Sequence, residues 1–488
     1  MLLSELLKRI DYRECINFRD CEILGVSPHS ARVKSGDVFV CIKGREEDGV
    51  FYIDEAKNAG ALAFVMEEKN VCSQTNNVII VENARKCEAE MSKAMYGEEL
   101  DKLKIIGITG TKGKTTTAKF LSECIADLGL KCVSIGTLGV EYYDGERRLL
   151  LGDKNENTTP DAPFIYKALS DAYSQGVRVA VIEVSSQGLK DYRVFGIPFT
   201  VCVFTNFSPD HVGKNEHRTV KEYLDCKRSL FCNYGCKICV VNSDDESSAF
   251  ISRGIDHVIK FGKDSEKFKL SVLSSDETNS SFLVNENRFD ISMGGVFNAY
   301  NAAAAVITAA LIFGRNLSEF APALKRVSVP GRYELYRIGD VSVIIDFAHN
   351  GESFRSILSS AKKSAKGKII SLFGSVGERS YQRRAELAIA AEEFSDFIVI
   401  TSDDPGSEPA ENICEEIAGY MLDRSFVKII MDREEAIKFA IGIASDNDTV
   451  LLLGKGHEEF QLIGKNRIPF SERKIIESLG AVRVFKNT

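Results

Sequence analysis

The sequence has no excess of basic residues. Its 62 Lys and Arg against 70 Asp and Glu leave a net charge of −8, so the overall field repels nucleic acid and anionic membranes, and any anionic ligand needs a local basic site. It has no run of 18 apolar residues, and no membrane span is expected. A secretory h-region is missing too: the opening MLLSELLKRI sets Leu3, Leu6, Leu7 and Ile10 at helical spacing with Glu5, Lys8 and Arg9 between them, an amphipathic helix. Low-complexity tails and solenoid repeats are absent. No G-x-G-x-x-G opens the first helix of the last block, which argues against a dinucleotide there. The 13 cysteines are odd in number and follow no leader, which points to reduced thiols in a cytoplasm. Cys226, Cys232, Cys236 and Cys239 could be read as zinc or iron–sulfur ligands. Two of them are expected instead to pack as small hydrophobes, Cys239 inward on the strand Ile238–Val241 and Cys226 on the preceding helix.

What is present is the composition of a folded globular protein, 44% hydrophobic and 27% charged. A length of 488 residues, at about 150 per domain, suggests three domains. Strand-length apolar runs alternate with helical patterns, the signature of α/β layers with largely parallel sheets. A first block, residues 1–97, carries short strands at Val38–Cys41, Ala63–Met66 and Val78–Val81 and ends in a helix before Gly97. A second, 98–329, carries strands at Lys104–Ile108, Val177–Val184, Thr200–Thr205 and Ile238–Val241. It continues through hairpins between Lys263 and Arg288 to an alanine-rich helix from Asn298 to Phe313, expected to be buried. Pro330-Gly331 breaks the pattern and is the expected hinge. The third block, 330–488, repeats strand and helix four times, with strands near Val341–Phe347, Lys368–Phe373, Phe397–Thr401 and Thr449–Leu453, as a Rossmann-like sheet does.

The strongest local signal is Gly110-Thr111-Lys112-Gly113-Lys114-Thr115, followed by Thr116, between an apolar strand and a helix. Main-chain N–H groups of such a turn, together with the helix N-terminus, cradle phosphates; Lys114 reaches the terminal ones and the Thr115 hydroxyl suits magnesium. ATP or another triphosphate is the implied ligand. The general P-loop pattern wants a glycine five positions before Gly113, where this chain has Ile108.

The short GTxGKT loop that is present resembles that of the Mur ligase and folylpolyglutamate synthetase superfamily, in which Asn is usual at the position of Lys112. Further stretches look like family motifs in the family's order. They are Asn157-Thr158-Thr159-Pro160, Glu183-Val184-Ser185-Ser186-Gln187, Phe204-Thr205-Asn206 with Asp210-His211, and Tyr223 to Lys227. Beyond them come Asn298 to Asn301, Pro330-Gly331-Arg332, Asp346 to His349, and Gly454-Lys455-Gly456-His457-Glu458. The resemblance implies a three-domain architecture: a small N-terminal uridine-nucleotide domain, a central P-loop ATPase-like parallel sheet and a C-terminal Rossmann-like domain. It also implies an ATP-dependent ligase that activates a carboxylate as an acyl phosphate and passes it to an amine, releasing ADP and phosphate in peptidoglycan biosynthesis. Two anions must meet in that step, so metal ions and fixed cations are required.

On that resemblance Thr115, Glu183 and His211 hold magnesium, and Lys227, as a carbamate formed with carbon dioxide or bicarbonate, holds a second metal. Arg332 reaches the γ-phosphate, Asn301 the adenine and Asp346 the ribose, while His349 packs beside the nucleotide; ATP would then lie at an interdomain cleft. Ser30, Asn157, Thr158, Thr159, Ser185 and Arg193 look like contacts to a UDP-N-acetylmuramoyl dipeptide whose terminal D-glutamate supplies the carboxylate. Where the family usually has Asp-Ser-Arg, this chain has His29, Ser30 and Ala31. Arg379 and Glu458 would hold the incoming amino acid's own carboxylate and amine, with Asp403, Asp404 and Gly454 beside them. Branches that add meso-diaminopimelate carry an arginine where this chain has Gly406. A distal carboxylate thereby loses its bidentate partner, so L-lysine is expected over diaminopimelate.

Two other readings compete. A superfamily ligase with another acceptor, such as folylpolyglutamate synthetase, is disfavoured by the uridine-nucleotide block and the NTTP motif. A non-catalytic paralogue that binds the nucleotide-peptide as a sensor or scaffold is disfavoured because Lys114, Thr115, Glu183, His211, Lys227 and Arg332 are all retained. Neither nucleic acid nor membrane insertion is expected, and the chain should be a monomer.

Overall fold

The computed structural model describes all residues except 45–46, 69–74, 145–146, 151–156, 210–216, 277–278, 379–380, 465 and 485–488. By packing, the chain forms two compact units. The first comprises Met1–Phe207, Lys221–Phe261 and Ala304–Gly314; the second comprises Ser208–Val220, Gly262–Ala303 and Arg315–Thr488.

The first unit opens with the expected amphipathic helix, shorter than its apolar spacing suggested. It spans Leu3–Leu7 and buries Leu3, Leu6 and Leu7. These side chains join Val38, Val40, Ala63 and Val65 beneath a five-stranded sheet. Its spatial order is Glu14–Ile16, Val78–Ile80, Ala63–Met66, Asp37–Val40 and Gly25–Ser27, antiparallel at the first pair and parallel thereafter. The helix Ala84–Tyr96 follows, started by the Asn83 side chain, which accepts the Lys86 N–H, and stopped at Gly97.

The central sheet runs Val258–Gly262, Ile238–Asn242, Phe199–Phe204, Lys104–Thr109, Val179–Glu183 and Cys132–Gly136, all parallel, then turns antiparallel through Gly139–Asp144 and Arg147–Leu150. Strands buried on both faces read as continuous apolar runs, which is why Ile105, Ile106 and Ile108 occur together and are all buried. The strand Lys104–Thr109 lies between Phe199–Phe204 and Val179–Glu183. The loop that leaves it is therefore flanked on both sides by strand ends. Among the clustered cysteines, Cys239 is fully buried, Cys226 half-buried and Cys232 exposed. The sulfurs of Cys236 and Cys239 lie 3.7 Å apart.

In the second unit the stretch expected to form hairpins is an antiparallel meander of Phe268–Ser275, Ser280–Val284 and Asn287–Ile291. The alanine-rich helix spans Val296–Phe313; it is long and apolar enough to cross a membrane by length and composition, yet 61% of it is buried within the protein. The seven-stranded sheet has the order Val427–Ile429, Phe397–Ile400, Ile369–Phe373, Thr449–Leu453, Val341–Asp346, Glu334–Ile338 and Val482–Arg483. Its first five strands are parallel and its last two antiparallel.

Candidate active site

Parallel register decides what meets at the edge of the central sheet. Glu183 pairs with Ile108, and Phe204 with Thr109, so the phosphate-type loop, a carboxylate and the Thr205-Asn206 pair leave the sheet side by side. Gly110 has φ +154°, and a Cβ there would fall 1.9 Å from the Thr205 hydroxyl; only glycine fits. Gly113, at φ +82°, makes the turn into the helix Lys114–Asp127. The Thr111 N–H donates to the Asn206 carbonyl at 2.9 Å. The Lys112 N–H donates to the Asn206 side chain at 2.9 Å, and the Lys112 carbonyl accepts from Thr205 Oγ1 at 2.6 Å and Asn206 Nδ2 at 3.1 Å. This brace uses the backbone of residue 112, so it works with lysine where asparagine is usual. Lys114 Nζ folds over the loop and donates to the carbonyls of Gly110 and Thr111 at 2.8 and 3.0 Å.

Glu183, 2% exposed, sits under the loop in a nest of hydroxyls. It accepts from Thr115 Oγ1 at 2.7 Å, from the Thr137 N–H at 3.0 Å and from Thr137 Oγ1 at 3.1 Å. A Cβ at Gly136 would lie 2.1 Å from its Oε1. Burial pushes its carboxyl above the usual range, opposed by the Thr115 hydrogen bond, the Lys114 charge and Thr137. Thr137 is a further candidate site residue, outside every motif named above. The available signal was a Gly-Thr pair just after a buried strand, Cys132–Gly136, that pairs in parallel with Val179–Glu183.

The Thr137 hydroxyl is also 3.2 Å from that of Thr158, which links the nest to the Asn157–Thr159 stretch. Thr159 Oγ1 donates to the Glu183 carbonyl at 2.9 Å and accepts the Ser185 N–H at 2.8 Å. Ser185 caps the next helix, accepting the Gly188 N–H at 3.0 Å. Arg193 donates to the Thr159 carbonyl at 2.8 Å and to Asp191 at 3.1 Å, and lies 3.6 Å from Asp161. Asp161 also pairs with His29 Nε2 at 2.9 Å. Burial acts against its charge, but the His29 bond and the Arg193 charge outweigh it and hold its carboxyl below the usual range. Thr158, Thr159, Ser185 and Arg193 are thus one hydrogen-bonded group, and His29, at the departure from the family pattern, joins it through Asp161. Ser30 begins the turn that follows, and Asn157 is exposed.

Lys227 lies on the helix Val220–Cys232 and is 1% exposed, its ammonium 4.4 Å from the centre of the Tyr223 ring. The Tyr223 hydroxyl is 3.1 Å from Thr111 Oγ1, so one tyrosine touches both the loop and the lysine. His211 and Arg379 lie outside the described residues.

The second unit holds the remaining candidates. Asn301 is buried beside Asn298 at 3.4 Å. Asp346 spends both carboxylate oxygens on backbone, accepting the Tyr333 and Ala348 N–H groups at 2.7 Å each. The Arg332 guanidinium stands 4.7 Å from the Phe347 ring centre, with the His349 and His457 rings 4.9 and 5.1 Å from the same ring. Gly331, at φ +67°, would drive a Cβ to 2.2 Å from the His457 nitrogen.

Asp403, Asp404 and Glu458 form a carboxylate cage. Among the described residues it is the one group of three side chains spaced closely enough to share a cation. Lys455, fully buried, occupies it, 2.8 Å from Asp404, 2.7 Å from Glu458 and 3.9 Å from Asp403. Burial acts to lower the Lys455 pKa, but the carboxylates outweigh it and raise it. Burial likewise raises Asp403, and it pushes Glu458 up to about 7. Lys455 stands in the Gly454–Glu458 motif with nothing local to mark a role, and in the cage it balances charge among the amino-acid-site candidates.

With this geometry in view, family models match three segments: "Mur ligase family, catalytic domain" over residues 22–98, "Mur ligase middle domain" over 108–309, and "Mur ligase, glutamate ligase domain" over 331–456. A UDP-N-acetylmuramoyl-L-alanyl-D-glutamate–2,6-diaminopimelate ligase from Aquifex aeolicus is 37% identical over 98% of this chain and 95% of its own length. One of the same name from Clostridium perfringens is 33% identical over 98% and 99%. A solved structure of a ligase of that name superposes with a TM-score of 0.61 at 26% identity, covering 93% of this chain and 94% of that one. A MurF ligase from Thermotoga maritima in complex with ADP gives 0.62 at 20%, over 89% and 94%, a likeness of fold. The chain belongs to the Mur ligase family. Its enzymatic class is accordingly that of an ATP-dependent, amide-forming ligase.

Proposed function

We propose that the protein joins a free diamino acid to UDP-N-acetylmuramoyl-L-alanyl-D-glutamate in peptidoglycan synthesis, in the cytoplasm, dividing the work among the segments 1–97, 98–329 and 330–488. The observation that carries this reading is the convergence of the Lys114 loop, the Thr115–Glu183–Thr137 nest and the Thr158–Arg193 group at one sheet edge. A terminal carboxylate of the acceptor attacks the γ-phosphorus of ATP, ADP leaves, and the acyl phosphate is attacked by the donor's amine with release of phosphate and a proton. The donor set of buried hydroxyls and one carboxylate around Thr115 suits magnesium, which when bound supplies charge neutralisation between the two anions. The loop amides and Lys114 hold the phosphates, and Arg193, Thr158, Thr159, Ser185, Asn157 and Ser30 hold the acceptor. Asn301, Arg332, Asp346 and His349 contact the nucleotide.

Thr115, Glu183 and His211 would hold magnesium, and Lys227 carries carbon dioxide as a carbamate, its amine nitrogen bonding to carbon with loss of a proton, so that it offers an anion to a second metal. The burial of Lys227, 1% exposed on the same helix as Tyr223, supports this reading. The cage of Asp403, Asp404 and Glu458, with Gly454 and Arg379, receives the donor. Its acidity suits ammonium groups. The relatives' names carry 2,6-diaminopimelate, whereas the expectation of lysine rests on Gly406. That residue has φ +60°, and a Cβ there would be 3.7 Å from the Glu378 carboxyl carbon, a surrounding that favours a distal amine over a distal carboxylate.

Phosphate release assayed with the acceptor across a panel of amino acids tests the whole reading. Release that requires both the acceptor and a diamino acid is expected, and the lysine-to-diaminopimelate ratio decides the donor. No release with any amino acid would leave the sensor reading in its place.

A further inference from the structure

We infer that Arg433, paired with Glu472, is a positioning residue for the amino donor, fixing the separation of the two loops that carry the carboxylate cage. This rests on the reading of that cage as the donor's ammonium site.

Arg433 and Glu472 are each the first residue of a helix, Arg433–Gly442 and Glu472–Ser478, and each is 1% exposed. A cation in a helix's first turn opposes the helix dipole. A buried ion pair is seldom more stable than apolar side chains of the same volume, and here Glu472 Oε2 is buried without a hydrogen-bond partner among the described residues. Neither helix propensity nor burial accounts for an arginine at this place. Its hydrogen bonds do.

Nη1 donates to the Ser402 carbonyl at 3.2 Å and Nη2 to the Leu453 carbonyl at 2.8 Å. Nε and Nη2 donate to Glu472 Oε1 at 3.1 and 2.8 Å. Ser402 immediately precedes Asp403, and Leu453 ends the strand that leads into Gly454-Lys455. The strands behind these loops, Phe397–Ile400 and Thr449–Leu453, are not neighbours, because Ile369–Phe373 lies between them. No ladder hydrogen bond joins these two strands directly, and the guanidinium bridges the ends of both. The Asp403 carboxylate packs directly against Gly454, where a Cβ would lie 2.6 Å from its Oδ2. A planar fork held by one carboxylate can reach two carbonyls at once, which a lysine cannot.

The experiment compares Arg433→Lys and the paired apolar replacement Arg433→Met with Glu472→Leu against wild type, in the full-length protein with both substrates and ATP. Arg433→Lys should raise the donor KM at least about tenfold while the ATP KM stays within about twofold. The apolar pair should keep or raise the melting temperature, yet leave the donor KM high. A stable apolar pair with a wild-type donor KM would reduce the ion pair to a packing element and overturn the inference. If that variant does not fold, Arg433→Lys decides alone, and an unchanged donor KM, or donor and ATP KM rising together, overturns it. Wild-type turnover is the control: its failure would remove the proposed function, whereas turnover with unshifted variants removes only the role of Arg433.

Discussion

The loop around Lys114 and the cage around Lys455 each hold a lysine, half-buried in the first and fully buried in the second, and they are built from opposite materials. Lys114 is held by two main-chain carbonyls of its own loop, and the loop by backbone bonds to Asn206. Lys455 is held by three side-chain carboxylates, two of them about fifty residues away in sequence. A ligand site made of main-chain amides is neutral, contiguous and set by glycine. One made of charged side chains stores an electrostatic imbalance that a substrate cation can relieve. The first suits an anion that every member of such a family must bind, and the second suits a variable donor.

The sharpest way to break this contrast is at Lys114. Lys114→Ala removes the cation that folds over the Gly110 and Thr111 carbonyls and should cut phosphate release by about 1000-fold, read in a steady-state assay. Next, Glu183→Gln keeps the hydroxyl nest but removes its charge. It should lower kcat by about 100-fold and raise the magnesium concentration needed for half-maximal rate. Normal magnesium dependence would dissociate Glu183 from the metal. In the cage, Glu458→Gln should raise the donor KM about tenfold and leave the ATP KM unmoved.

The same contrast extends to pH. Glu458, with its pKa raised to about 7 by burial and facing Lys455, Asp403 and Asp404, becomes neutral as pH falls through that value and then no longer attracts an ammonium. The donor KM should therefore rise below about pH 7 in the wild type, and the inflexion should vanish in Glu458→Gln. The smallest effect belongs to His29→Ala. The His29–Asp161 pair is half open to solvent, with His29 51% exposed, so its loss should cost about 0–1 kcal/mol in denaturant unfolding.

The loop, the two strands beside it and the alanine-rich buried helix were legible because each depends on residues close in sequence: an apolar run, a glycine turn, a helix start. The opening helix was overextended because Ile10 continued an apolar spacing that the chain does not use beyond Leu7. Thr137 escaped notice because its contact with Glu183 spans 46 residues and arises only from parallel pairing. Lys455 and Arg433 escaped for a stronger reason, since an isolated lysine or arginine reads as a solvated surface cation, and nothing local announces that it will be buried among carboxylates.

The amino-acid sequence by itself determined the phosphate-type loop, the alternation of strand and helix and the family to which the chain belongs, because backbone geometry and apolar periodicity are written residue by residue. Only the tertiary structure decided which charges share a cavity. Side chains distant in sequence become neighbours through sheet order, and once water is excluded their mutual charge sets how each is protonated and what it can bind.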